Sequence, residues 1–130
     1  MLTLSAMALP PVETVPISAL SSNQVDWLRV SPLNEVSTPV AFTGSMKPYL
    51  LGGEILFIER YDGQSLEVGM LILFARWDKP AVLHEIMALS PHGYFKAKGL
   101  NCMSADGWYP VKRVKWIARR VIRVTYPVGA

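Results

Sequence analysis

Cysteine and histidine are scarce in this chain of 130 residues, which holds one Cys, Cys102, and two His, His84 and His92. A single thiol excludes an intrachain disulfide, and so few nitrogen and sulfur donors make a structural zinc site a poor fit. No metal and no cofactor is expected. Charge is sparse as well: 18% of residues are charged, with 13 Lys+Arg against 10 Asp+Glu for a net charge of +3. That balance is too mild to indicate nucleic acid, which is disfavoured as a partner. The apolar fraction of 51% excludes a disordered chain. The length suits one domain with one core, and 10 Pro and 9 Gly argue against a helical bundle.

Long hydrophobic runs are also missing. The densest, residues 68–75, is far short of the roughly 20 residues a spanning helix needs. Residues 1–12 are uncharged but lack the basic start of a signal peptide and contain Pro10-Pro11. Residues 14–25 are uncharged too, yet Pro16, Ser18, Ser21, Ser22, Asn23 and Gln24 interrupt them. The expectation is a chain with no transmembrane segment or signal peptide, cytoplasmic or membrane-peripheral. Peripheral membrane contact through Met1, Leu2, Leu4, Met7 and Leu9 stays open, against the favoured reading of an arm packed on the domain.

No internal repeat is evident. Residues 1–40 read as an irregular arm, since Pro10, Pro11, Pro16, Pro32 and Pro39 are too closely spaced for long regular elements. One short helix over residues 22–30 fits a Ser21 or Ser22 cap followed by Val25, Leu28 and Val30. Residues 41–130 form the domain proper. Strands are expected at 54–60, 70–76, 81–89 and 94–98, with the last ones inside 111–124. The unbroken apolar run of 70–76 predicts burial on both faces. The whole reads as a mostly β, largely antiparallel fold.

Ser45 is the residue most suggestive of chemistry. It lies in Thr43-Gly44-Ser45-Met46-Lys47-Pro48, between a flexible Gly and a fixed Pro, where a tight turn can present a hydroxyl. A nucleophilic serine needs a base in reach and donors aimed at the developing oxyanion; on spacing alone, a serine capping a turn is the commoner case. His84 sits within a strand pattern, where neutral imidazole can be a rigid base or an ordinary half-buried residue bonded to backbone. His92 lies in a turn and reads as solvated. Lys47, Lys79 and Lys98 are amine bases only if desolvated, and Asp106 either orients an imidazole or makes a turn. The run Lys112, Arg113, Lys115, Arg119, Arg120 and Arg123 reads as a solvated cationic face before it reads as a site for nucleic acid or anionic lipid.

Taken in order, several blocks resemble signal peptidases and the wider LexA-like serine-peptidase group over residues 42–124. Thr43-Gly44-Ser45-Met46-Lys47-Pro48-Tyr49-Leu50 is similar to the nucleophile box S/T-G-S-M-x-P-x-L/F. Gly53-Glu54-Ile55-Leu56-Phe57-Ile58 resembles the G-D-x-V/L segment, and Val68-Gly69-Met70-Leu71-Ile72-Leu73-Phe74 the G-D-I-V-V-F strand. Leu83-His84-Glu85-Ile86 stands where the endoplasmic-reticulum and archaeal branch has V-H-R-I, and Lys98-Gly99-Leu100-Asn101 with Asp106 resembles its K-G-D-N…D segment.

The resemblance implies a coiled β domain of LexA/signal-peptidase type and a serine endopeptidase acting on a protein or pro-peptide substrate. Ser45 would be the nucleophile, His84 the general base and Asp106 its support, with the Ser45 N–H and the Thr43 hydroxyl as oxyanion donors. Glu54, Met70, Glu85 and Leu100 stand where the family commonly has Asp, Asp, Arg and Asp. If Glu85 were close to His84, its charge would raise the imidazole's affinity for a proton. The alternatives are a catalytically silent β-domain that binds a partner chain in the same cleft, or a self-cleaving LexA-like regulator. The regulator is disfavoured because its base is normally lysine and no helix-turn-helix precedes Ala41.

Overall fold

In a computed structural model that describes residues 9–19, 35–39 and 44–126, the chain forms an eight-stranded sheet. The strands are β1 (Val12–Pro16), β2 (Glu35–Pro39), β3 (Ile55–Arg60), β4 (Leu71–Phe74), β5 (Val82–Ser90), β6 (Tyr94–Lys98), β7 (Trp108–Pro110) and β8 (Val114–Thr125). Their order is β2-β3-β8-β4-β5-β6-β7, with β1 also paired to β8. Every pairing is antiparallel except the parallel β1–β8.

The 12-residue β8 is the spine. β3 lies along one edge of it, and the other edge is shared by β4 near its start and β1 near its end. Register shifts between Phe57 and Ile58, between Leu73 and Phe74, and between Ile86 and Ala88 bend the sheet. The bending lets one sheet close around apolar clusters on both sides. Ile72, Phe74, Ile86, Phe95, Tyr109 and Ile117 pack on one face. Met46, Leu50, Leu56, Leu71, Ala118 and Val121 pack on the other. β4 is therefore buried on both faces, with Leu71, Ile72 and Phe74 at 0% exposure, as its unbroken apolar run predicts.

The mostly β, largely antiparallel fold is as expected, with two differences in detail. Two pieces of residues 1–40, β1 and β2, are strands of the main sheet rather than irregular arm. Pro11 precedes β1 and Pro16 ends it, positions where a missing N–H is tolerated. The helix expected over 22–30 lies outside the described residues. Residues 111–124 hold one long strand behind a short 3-10 turn at Val111–Arg113, rather than several strands.

The basic run of β8 is largely paired. Arg119 binds Glu59 at 2.6 Å, Arg120 binds Glu13 at 3.1 Å and Arg123 binds Glu54 at 2.7 Å. Arg113 lies over the Trp77 ring, 3.9 Å from its centroid. Among the described residues, no helix is long and apolar enough to cross a membrane.

Candidate active site

The turn that carries Ser45 is shaped by Gly44, whose φ of +81° is a left-handed conformation that side chains rarely adopt. The Lys47 N–H returns to the Gly44 carbonyl at 3.2 Å, and the Leu50 N–H to Met46 at 3.0 Å. Met46 and Leu50 are buried with Leu56, Leu71 and Val121, which anchors the turn to the core. Lys47 and Pro48 stay exposed.

A buried carboxylate holds the end of this turn. Glu54 is 2% exposed and accepts the Leu51 and Gly52 N–H groups, each at 2.8 Å. Its Oε2 also accepts Arg123 Nη2 at 2.7 Å and Nε at 3.2 Å. The same Arg123 Nη2 donates to the Tyr49 carbonyl at 3.1 Å. Burial pushes the Glu54 carboxyl pKa up, but hydrogen bonds from Leu51, Arg123, its own N–H and Gly52 outweigh that and leave it below the ordinary value. The Tyr49 hydroxyl donates to the Pro10 carbonyl just ahead of β1. Burial, with the Glu54 and Glu85 charges adding, pushes its phenol well up. Arm, turn and β8 are thus tied through Tyr49 and Arg123.

β5 delivers His84, opposite Ile72 in the register and only 3% exposed. Its Nδ1 lies 2.5 Å from Asp106 Oδ2, while Asp106 Oδ1 lies 3.7 Å from Arg76 Nη1. Asp106 is held in place by its own N–H, which donates to the Ala97 carbonyl at 2.8 Å. A carboxylate at Nδ1 assigns the ring proton there and leaves the Nε2 lone pair as an acceptor. That Nε2 is buried and has no hydrogen-bond partner among the described residues. Buried polar atoms are seldom left unpaired, and an unpaired acceptor is what a general base must present.

Gly99 brings the parts together. A Cβ at this position would stand 2.6 Å from the Ser45 carbonyl oxygen and 2.7 Å from both Cys102 Sγ and His84 Nε2. Three elements therefore close on one point: the Ser45 turn, the loop after β6 and the imidazole. Asn101 fastens the loop to the turn, its N–H donating to the Ser45 carbonyl at 2.8 Å and its Nδ2 to that of Gly44 at 3.1 Å. Gly99→Ala is expected to be costly, because no real Cβ tolerates such contacts and the Ser45 carbonyl is already fixed by Asn101. Overpacking of this kind costs about 1–3 kcal/mol, and a lowered urea midpoint at unchanged slope would show it.

The structure thus places Ser45, His84 and Asp106 in one neighbourhood, with the His84–Asp106 bond formed and no hydrogen bond to His84 Nε2 from Ser45. Thr43 lies outside the described residues. His92 is exposed in the β5–β6 turn, where its N–H meets Ser90 Oγ, roughly 20 Å along β5 from His84. Lys47 and Lys79 are exposed, and Lys98 pairs in register with Glu85. Glu85 alternates to the opposite face of β5 from His84, and its charge acts on Tyr49. Burial raises its own pKa, partly offset by Lys98. Sequence reasoning missed the structural weight of Glu54 and Arg123, the wedge role of Gly99, and the place of Cys102 beside His84.

Comparison of the chain with family models, with curated proteins and with solved structures finds no match.

Proposed function

We propose that the protein is a serine endopeptidase of the signal-peptidase and LexA-like kind, cleaving a protein or pro-peptide substrate. One observation carries the reading: a buried imidazole whose Nδ1 is fixed by Asp106 and whose Nε2 is left unpaired against the Ser45 turn. In this scheme Ser45 Oγ attacks the scissile carbonyl carbon while His84 Nε2 takes the hydroxyl proton. Asp106 holds the ring and stabilises the imidazolium that forms. The Ser45 N–H and the Thr43 hydroxyl supply the oxyanion donors. His84 then returns its proton to the leaving amine, and water, deprotonated by the same Nε2, releases the acyl chain.

The alternative is a silent domain that binds a partner chain in this cleft, with Ser45 no more than a turn residue. A fluorophosphonate probe separates the two. Labelling of the wild type that disappears in both Ser45→Ala and His84→Ala supports the peptidase. No labelling of a folded wild type, or equal labelling in Ser45→Ala, overturns it. Thr43→Val should lower kcat far more than it raises KM, because an oxyanion donor acts on the transition state. A raised KM at unchanged kcat would make Thr43 a groove contact instead.

A further inference from the structure

The sequence contains a single thiol, and it is half-buried at the same point on which the proposed base closes. Cys102 Sγ and His84 Nε2 each stand 2.7 Å from the position of a Gly99 Cβ. His84 is only 3% exposed, and its Nε2 is a buried nitrogen without a hydrogen-bond partner among the described residues. Asp106 on Nδ1 keeps that nitrogen an acceptor. Cys102 is partly exposed, and Leu100, Asn101, Met103, Ser104 and Ala105 around it are exposed. A partly accessible thiol beside a fixed, proton-accepting imidazole is the arrangement that makes cysteine reactive.

We propose that Cys102 is a thiol-modification site that shares His84 with the serine centre, and that a low-molecular-weight disulfide closes that centre by forming a mixed disulfide on Cys102. In the step, His84 Nε2 takes the Cys102 proton as Sγ attacks one sulfur of the disulfide. A new S–S bond forms, the reagent's S–S bond breaks, and the departing thiolate receives the proton from His84 as a free thiol. Cys102 is oxidised and one reagent sulfur is reduced, so electrons and protons balance. A small thiol runs the step backwards. The added group occupies the space beside Nε2 that an attacking hydroxyl and its substrate need. The closure of the serine centre rests on the peptidase reading; the reactivity of Cys102 does not.

The test uses 5,5′-dithiobis(2-nitrobenzoate), whose released thiolate is followed by absorbance, the proton passing from His84 to solvent. Cys102→Ser should release none. The folded wild type should react at least as fast as the urea-unfolded chain despite partial burial, and His84→Gln should slow the folded reaction by about tenfold or more. Asp106→Asn, a near-isosteric change that leaves His84 and Cys102 themselves unaltered, should slow it as well, so the result does not depend on one variant folding. A folded wild type slower than the unfolded chain, or equal rates in wild type, His84→Gln and Asp106→Asn, overturns the site. Fluorophosphonate labelling of Ser45 should be lost after the disulfide treatment, return with dithiothreitol, and be insensitive to treatment in Cys102→Ser; labelling that survives full modification overturns the closure. If Ser45 never labels, the peptidase reading fails while the exchange rates still decide the thiol site.

Discussion

His84→Ala is expected to abolish peptide cleavage, with a loss on the order of 10⁴–10⁶ in kcat, because nucleophile and base act as one unit. Asp106→Asn should cost about 10⁴, since the amide no longer enforces the tautomer that leaves Nε2 as acceptor. Lys47→Ala, Lys79→Ala and Lys98→Ala should each retain a measurable rate: two of these side chains are exposed and the third sits opposite Glu85 on β6. Cleavage that survives in a folded His84→Ala, or activity lost with one lysine, would reassign the base.

The reach of sequence reasoning follows from what a local pattern encodes. β3, β4, β5 and β6 were legible because each is a short run rich in apolar residues, continuous in β4 and alternating in β6, bounded by turn residues such as Asp62-Gly63 and Pro91-His92-Gly93. β8 was legible as strand but not as one continuous strand, because its buried residues come in adjacent pairs, Ile117-Ala118 and Val121-Ile122, which no period of two describes. Both faces of that strand are covered and its register shifts against β3 and β4, so the pattern reports tertiary packing. β1 escaped because the four residues between Pro11 and Pro16 have little local strand signal, and its parallel partner lies more than 100 positions away in sequence. β7 is three residues long.

The candidate site divides along the same line. Spacing alone left Ser45 a turn residue and His84 a strand residue; the resemblance of ordered blocks named both, with Asp106 as the support of His84, and the fold adds that the contact is at Nδ1, 22 residues on. Gly99 and Cys102 acquire meaning only where β6 ends beside His84, since a glycine whose importance is steric carries no local signature. Glu54 has the same invisibility. Nothing local marks it as buried, yet it is among the few buried charged or polar residues described.

That burial sets the second large effect. Arg123→Met leaves the Glu54 carboxylate buried without its counter-charge, a change that typically costs about 3–5 kcal/mol when a buried pair loses one member. Here Arg123 is one-third exposed, so the carboxylate is the member that suffers, still holding the Leu51 and Gly52 N–H groups. Its pH dependence has a definite sign. In the wild type Glu54 has a pKa below its ordinary value of 4.5, so it contributes stability that is fully present above the unfolded pKa. That contribution is lost as pH falls through the folded value. Glu54→Gln should therefore flatten the decline in urea midpoint below about pH 4.5. In Arg123→Met the lowering contribution of the guanidinium is lost, so the acid decline should flatten there as well. A decline as steep as that of the wild type in both variants would show that Glu54 does not carry the linkage. Because the same carboxylate fixes the end of the Ser45 turn, both variants should also lose fluorophosphonate labelling, in proportion to how far the Leu51–Gly52 backbone is released.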